Sequence, residues 1–207
     1  MFVQRDKVTN TYALQKADAL FESMLKKFGS KSPNVWINYA HFLHATYNAP
    51  DRARGLMKRA SQALGTSTHV YLPLITRFAA LEYRSPNGDH EQGRTLFESL
   101  LSTYPKKFDV WNQLVDLEIS AYVAAKANPA EAKQTADPAV VRDIFEGGTK
   151  AKGLKAKQAK SWFRRWAQFE EDNGDAKHRE RVSAKAQEWA REAAKQKKAA
   201  GGEEEEE

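Results

Sequence analysis

The apolar residues of this chain recur at intervals of three and four positions, which places them on one face of an α-helix. One recurring unit reads Ala/Gly-x-x-Leu-Phe-Glu and is written almost identically as "ADALFESML" at 17–25 and "GRTLFESLL" at 93–101. Looser copies are "ARGLMKRAS" at 53–61 and "VRDIFEGGT" at 141–149. Each copy therefore predicts one helix with a single apolar stripe.

A second unit reads aromatic-x-x-aromatic/Leu-x-x-Leu/Phe and has the same helical spacing. The two units alternate along the chain, and successive copies of the second begin 39, 36 and 52 residues apart. No stretch alternates with period two for long enough to predict a strand. The copies are Trp36-Tyr39-Phe42, Ile75-Phe78-Leu81, Trp111-Leu114-Leu117 and Phe163-Trp166-Phe169.

Short segments rich in Gly, Pro, Asn and Asp separate the units and predict turns. Asp51, Asp89 and Asp175 each stand just before a helical run, where a side-chain oxygen can accept from free backbone amides. We therefore predict these three residues to be N-caps. The predicted helices are 13–28, 34–47, 50–64, 68–83, 88–103, 108–124, 137–148, 156–172 and 175–197.

A single hairpin of two such helices cannot bury both apolar stripes, whereas hairpins stacked side by side bury all of them. We therefore predict an all-α fold, an α-solenoid of stacked antiparallel helical hairpins over 13–194. Because the chain opens on the second helix of a pair, we expect it to be the end of a longer solenoid. Leu20 and Phe21 of that helix should be buried stacking contacts.

Three segments depart from the repeat. Residues 1–12 are too short and too polar for a full helix, so they predict a partly ordered lead-in. The Ala-rich stretch at about 122–137 contains Pro129 and predicts a helix extension followed by a surface loop inserted into the array. Residues 195–207 end in five glutamates and predict a disordered acidic tail.

The composition narrows the class of protein. The 207 residues include no cysteine, which excludes disulfides, thiol nucleophiles and thiolate metal sites. No apolar run reaches the length of a membrane span, so we predict a soluble intracellular protein. The formal net charge is +6, and residues 150–198 hold 15 Lys and Arg against 7 Asp and Glu. That excess suits an acidic partner such as RNA, although solvated helix faces would give the same composition.

No pattern of residues indicates catalysis. There is no phosphate-binding P-loop and no Gly-rich dinucleotide turn. His41 and His44 lie three positions apart on one helix face, but no third ligand has suitable spacing, so we expect ordinary surface histidines rather than a metal site. We predict a protein that is not an enzyme and holds no metal or cofactor.

Tryptophans can act as stacking platforms for bases or as core residues. Trp36, Trp111 and Trp166 lie on the apolar stripe of the repeat, which favours the core. Trp162 and Trp189 fall off that stripe. For these two the sequence leaves open whether they are exposed or seal the last hairpin.

The segment "LKAKQAKSWFRRW" at 154–166 is the best candidate for a binding surface. If Phe163 and Trp166 face the core, the cations beside them project outward. Such a stripe would bind phosphates without reading sequence, or would bind an acidic protein. The candidate RNA- or partner-binding residues are Lys155, Lys157, Lys160, Arg164 and Arg165.

The alternation of the two units resembles the HAT (half-a-tetratricopeptide) repeat, most closely in "DRARGLMKRASQAL" at 51–64 and "DVWNQLVDLE" at 109–118. Residues 16–28, 93–118 and 153–175 are further similar to the C-terminal HAT region of the S1-repeat rRNA biogenesis factors, the programmed cell death protein 11 family. The sequence departs from that family in the loop at 121–139 and at "FEGG", 145–148.

The resemblance implies a non-catalytic scaffold of ribosome biogenesis in the nucleus and nucleolus. Its partners would be pre-ribosomal assembly proteins, with pre-rRNA as a second partner, and neither a membrane nor a small-molecule substrate. Since HAT repeats also occur in splicing and mRNA 3′-end processing, a scaffold in those machines stays open. A direct RNA-binding module in the basic C-terminal third is a further alternative.

Overall fold

The computed structural model describes residues 2–130 and 137–202, with side chains described for 10–130 and 137–196. Within those ranges all regular structure is α-helical, which confirms the all-α prediction. No helix among the described residues is both long enough and apolar enough to cross a bilayer. The chain divides into two compact units, residues 1–103 and 104–207. The predicted single array over 13–194 stays a prediction.

The first unit is built from helices that pack against their neighbours in the chain. α2 contacts α1, α3 and α4, and α4 also contacts α5. The repeat stripe forms the core, where Trp36, Tyr39 and Leu43 of α2 are buried. The helices described in this unit are α1 (Phe2–Phe28), α2 (Pro33–Ala45), α3 (Pro50–Leu64), α4 (Thr68–Arg84) and α5 (His90–Thr103).

The second unit repeats this pattern, with each helix packed against the next. Its core is aromatic. The rings of Phe145 and Trp166 stack with centroids 5.6 Å apart, and Phe169 lies 6.1 Å from Phe145. The described helices are α6 (Phe108–Ala127), α7 (Pro138–Thr149), α8 (Ala156–Asn173) and α9 (Ala176–Gly202).

An arginine–glutamate pair recurs in both units. Arg54 of α3 donates from Nε and Nη2 to the two carboxylate oxygens of Glu82 on α4, at 2.9 and 3.0 Å. Arg142 of α7 donates in the same way to Glu170 of α8, at 2.9 Å for both bonds. In each pair the partners are 28 residues apart and the glutamate is buried. A two-point contact of this kind fixes the relative orientation of the two helices as well as holding them together.

Two helix ends differ from the prediction. α1 begins at Phe2 rather than at 13, because the polar lead-in contains no proline or glycine to stop a helix. α9 continues to Gly202, through Ala, Lys and Gln residues with high helix propensity. Residues 195–202, predicted to be disordered, are therefore helical, and 203–207 lie outside the described residues. The predicted extension of α6 reaches Ala127, while 131–136 of the inserted loop lie outside the described residues.

Two of the three predicted N-caps are confirmed. An oxygen of Asp89 accepts from the amide of Glu91 at 2.9 Å. Asp175 accepts from the amide of His178 at 2.9 Å, and this bond holds the pKa of Asp175 below its ordinary value. Both aspartates therefore satisfy free amides in the first turn of the following helix.

The predicted cap at Asp51 is wrong, because Pro50 is already the first residue of α3. Asp51 instead accepts from Nη1 of Arg54 at 2.8 Å, one turn further on. A cap that the prediction missed is Asp137, which accepts from the amide of Ala139 at 2.8 Å and starts α7.

α1 presents an open apolar face. Leu20 is 62% exposed, so the expectation that it is a buried contact is wrong. Of the positions that match it in later copies of the repeat, Leu56 and Ile144 are buried at 2% and 7% exposure, and Leu96 is half-buried. The neighbouring Phe21 does pack inward, stacked on Tyr39 with ring centroids 5.0 Å apart.

Candidate functional site

α8 has one buried aromatic side and one exposed cationic side, as the sequence predicts. Trp166 and Phe169 are buried at 2% and 3% exposure. Lys157, Lys160 and Arg164 are exposed and stand at i, i+3 and i+7, on one face of the helix. α8 therefore combines an aromatic inner face with a cationic outer face.

α6 and α8 lie side by side and run in the same direction. Near their starts, the rings of Phe108 and Trp162 meet edge to face with centroids 5.1 Å apart. Near their ends, Nζ of Lys126 donates to the side-chain oxygen of Asn173 at 3.0 Å. Both helices therefore begin at the same end of the second unit.

That shared end is rich in exposed cations. Gly153, in the loop before α8, has a φ of +76°, and a Cβ built on it would lie 3.9 Å from Cγ of Lys106. The loop thus lies against the segment that leads into α6. Seven of the exposed cations there form no ion pair in the described part of the chain. We call them the cationic end: Lys106, Lys107, Lys152, Lys155 and Lys157, continued along α8 by Lys160 and Arg164.

The starts of α6 and α8 are electrostatically unusual. Their N-cap residues are Lys107 and Lys155, and no side chain of an N-cap residue accepts from a backbone amide there. A cation next to the positive end of a helix dipole is unfavourable by about 0.3–1 kcal/mol. The side chain of Gln158 supplies part of a cap by accepting from the amide of Lys155 at 3.0 Å. An anion bound at this end would offset the remaining repulsion.

Arg165 does not share the exposed face of Arg164. It turns toward α6, where Nη1 donates to the side-chain oxygen of Asn112 at 3.0 Å and Nη2 pairs with Asp116. The expectation that Arg165 projects outward is wrong, because position 165 falls on the flank of α8 that meets α6. Its charge helps to hold those two helices together.

Lys150 is a weaker member of the same region. Its Nζ lies 3.7 Å from Oε1 of Glu146, which also accepts from Lys185 at 3.1 Å. Glu146 further pairs with Arg181 at 3.1 Å. The hydrogen bond from Lys185, with the charges of the other two cations, lowers the pKa of Glu146. This shared carboxylate partly offsets the charge of Lys150, so we leave Lys150 out of the cationic end.

Sequence reasoning missed Lys106 and Lys107, which lie about fifty residues before α8. The signal that points to them is the repeat itself. First helices of successive pairs run parallel in a stacked array, so the segments that precede them meet at one end. The "PKK" before α6 and the "LKAK" that leads into the first turn of α8 are such segments.

Trp162 and Trp166, the two tryptophans of α8, do not provide a stacking platform. Trp162, whose placement the sequence left open, is 1% exposed and donates from Nε1 to the carbonyl of Phe145 at 2.8 Å. Trp166 is in the core as predicted, whereas Trp111 is half-buried. Trp189 on α9 is also half-buried.

The histidine prediction is wrong for one of the pair. His44 is only 2% exposed and lies 3.6 Å from Oε1 of Glu82, so it belongs to the interior of the first unit. Among the described residues no group of three or more His, Asp or Glu side chains is arranged to hold a metal ion.

The first unit contains a cleft of about 400 Å³. Its polar groups already bind one another, since Arg54 donates to Glu82 and the amide of Asp89 donates to Glu82 at 2.9 Å. The cleft is therefore a product of repeat packing. Its lining is His44, Arg54, Met57, Phe78, Glu82, Asp89, Glu91, Gln92, Thr95 and Leu96.

Comparison with known proteins gives no matching family model. Over 177 residues, 86% of the chain, the sequence is 41% identical to the "rRNA biogenesis protein rrp5" of Schizosaccharomyces pombe. The chain is homologous to a C-terminal segment of the RRP5 family. It is also 34% identical over 89% of its length to the "Protein RRP5 homolog" of Mus musculus, and 28% identical over 88% to the "rRNA biogenesis protein RRP5" of Arabidopsis thaliana. The chain spans only 9%, 9% and 8% of these three RRP5 proteins.

The glycine pair near the end of α7 has a packing role. A Cβ on Gly147 would lie 2.7 Å from Cη2 of Trp111, and a Cβ on Gly148 would lie 2.6 Å from Cε2 of Trp162. The two glycines therefore make room for indole rings from α6 and α8. Larger residues here would push α7 away from both helices.

Proposed function

We propose that this RRP5-like segment is a non-catalytic scaffold of ribosome biogenesis. It docks assembly proteins, and pre-rRNA at the cationic end, in early small-subunit precursor particles of the nucleolus, and thereby supports rRNA processing. The observation that carries the proposal is the 41% identity over 86% of the chain to a protein named for rRNA biogenesis. Packed helix pairs also present the extended surfaces that repeat proteins use to bind partners.

The charged side chains support a scaffold rather than an enzyme. The buried carboxylates of Glu82 and Glu170 are bound by arginines and serve helix packing. The exposed cations of the second unit stand on a helix face and its adjoining loop, where they are suited to binding a partner.

The proposal is tested by purifying the tagged 207-residue chain from fission yeast, with and without nuclease treatment, next to the tag alone. We expect precursor rRNA and small-subunit assembly proteins to be enriched over the tag control. Proteins that stay bound after nuclease treatment are docked directly. Recovery of spliceosomal RNAs without precursor rRNA would contradict the proposal and favour a role in splicing.

A further inference from the structure

We propose that the cationic end binds the phosphodiester backbone of RNA without reading base sequence. This inference deepens the proposed function, on which the choice of RNA over DNA rests. RNA binding concerns the cationic end alone, whereas the scaffold role concerns the whole segment.

The first support is a local excess of positive charge. Seven exposed cations share the cationic end, and none is neutralised by an ion pair in the part of the chain that the structure describes. Carboxylates in the adjoining segments include Asp109, exposed in the first turn of α6, and Glu146, which is already shared by Lys150, Lys185 and Arg181. The surface therefore keeps a net positive field that attracts polyanions.

The second support is the layout of the charges. Lys157, Lys160 and Arg164 follow one face of α8 over about 10 Å at 1.5 Å per residue. Lys106 and Lys107 lie beside the start of that row, because their segment contacts the loop at Gly153. A nucleic-acid strand presents several phosphates over such a distance, so one backbone can contact many of these cations together.

The chemistry of the patch favours phosphate over an acidic protein. Three aromatic rings near the lysines are buried, with Phe108 at 7%, Trp162 at 1% and Phe163 at 8% exposure, whereas Tyr104 and Trp111 are half-buried. Stable protein interfaces are organised around buried aromatic or arginine anchors and are depleted in lysine. A lysine-rich surface without an exposed apolar anchor instead matches a backbone contact.

The same features disfavour base recognition at this surface. Reading single-stranded bases needs open aromatic faces for stacking, and Phe108, Trp162 and Phe163 beside the lysines are buried. Contacts to phosphate position a protein but carry no sequence information. RNAs of unrelated sequence should therefore compete equally.

The test is a fluorescence-anisotropy titration of a labelled RNA duplex of arbitrary sequence with the 207-residue chain, across a series of salt concentrations. One variant carries Lys106→Gln, Lys107→Gln, Lys155→Gln and Lys157→Gln. The matched control carries Lys26→Gln, Lys27→Gln, Lys31→Gln and Lys58→Gln, which change the same net charge at exposed positions of the first unit. Circular dichroism checks that both variants keep their helices.

For the unaltered chain we expect the logarithm of the binding constant to fall against log salt with a slope of about −6, from seven phosphate contacts to the duplex. The four-lysine variant should bind about tenfold more weakly or worse at low salt, and its slope should shrink by about 4. The control should stay close to the unaltered chain.

Equal losses in both variants, or a flat salt dependence, would overturn the inference. Tighter binding of a glutamate-rich peptide than of RNA of equal charge would also overturn it and indicate an acidic protein partner. None of these results would contradict the scaffold role, which is tested separately by the purification from fission yeast.

Discussion

Arg142 on α7 holds the buried carboxylate of Glu170 on α8 through two hydrogen bonds of 2.9 Å. The same contact, with the same spacing of 28 residues, joins Arg54 and Glu82 in the first unit. Both units therefore contain the same arginine–glutamate contact in addition to the apolar stripe. Trp166 adds a third donor, from Nε1 to Glu170 at 3.1 Å.

We predict that Arg142→Ala lowers the free energy of unfolding by about 3 kcal/mol, because it leaves a buried carboxylate without its cation. Glu170 is 1% exposed, so water cannot replace the lost partner. Urea unfolding followed by tryptophan fluorescence measures the change. The control is Arg179→Ala on the exposed side of α9, which should change stability by less than about 0.5 kcal/mol. A loss no larger than that of the control would contradict the role of the pair.

The Arg142–Glu170 pair also predicts a pH dependence. Burial alone would raise the pKa of Glu170, but hydrogen bonds from Arg142 and Trp166 outweigh burial and hold it below its ordinary value of 4.5. A carboxyl that is more acidic in the folded state stabilises the fold above pH 4.5, and this contribution is lost as the pH falls through the lowered pKa. The stability difference between the unaltered chain and Arg142→Ala should therefore shrink in acid. Urea unfolding at neutral pH and below pH 4 measures it, and a difference independent of pH would refute this assignment.

Two helical glycines form a matched pair for testing packing. Gly148→Ala places a methyl group against the buried indole of Trp162 and should destabilise the protein by about 1–3 kcal/mol through overpacking. Gly55→Ala in α3 meets nothing within 4 Å and should stabilise by about 0.5–1 kcal/mol through helix propensity. Urea unfolding followed by circular dichroism compares them, and equal effects would show that Trp162 does not fill the space at Gly148.

Periodicity predicted most of the fold from the sequence, because burying one face of each helix dictates spacings of three and four. It did not predict the partners on the flanks of a helix. Arg165 and Trp162 lie beside the main stripe of α8, and their surroundings come from α6 and α7, which one helix pattern does not contain. The sequence predicted only part of the candidate site. The cations on the outer face of α8 follow from the helical spacing of one segment. Lys106 could not be predicted in that way, because it joins them through contact with the loop at Gly153.

The neighbours Arg164 and Arg165 should have separable effects. Arg164→Ala should weaken RNA binding and change stability by less than about 0.5 kcal/mol, since the side chain is exposed on the cationic end. Arg165→Ala should lower stability by up to about 1 kcal/mol, as a partly exposed pair does, and affect RNA binding less. Anisotropy and urea unfolding on both variants test this, and the reverse ranking would contradict the placement of the two arginines.

The central claim is that the segment joins precursor ribosomal particles and uses its cationic end to do so. The most direct measurement is sedimentation of the tagged chain from fission-yeast extract, with precursor rRNA followed in each fraction. We predict that the unaltered chain and the control altered at Lys26, Lys27, Lys31 and Lys58 sediment with precursor rRNA. The variant altered at Lys106, Lys107, Lys155 and Lys157 should shift to the light fractions. An unaltered chain that stays in the light fractions, away from precursor rRNA, would contradict the account.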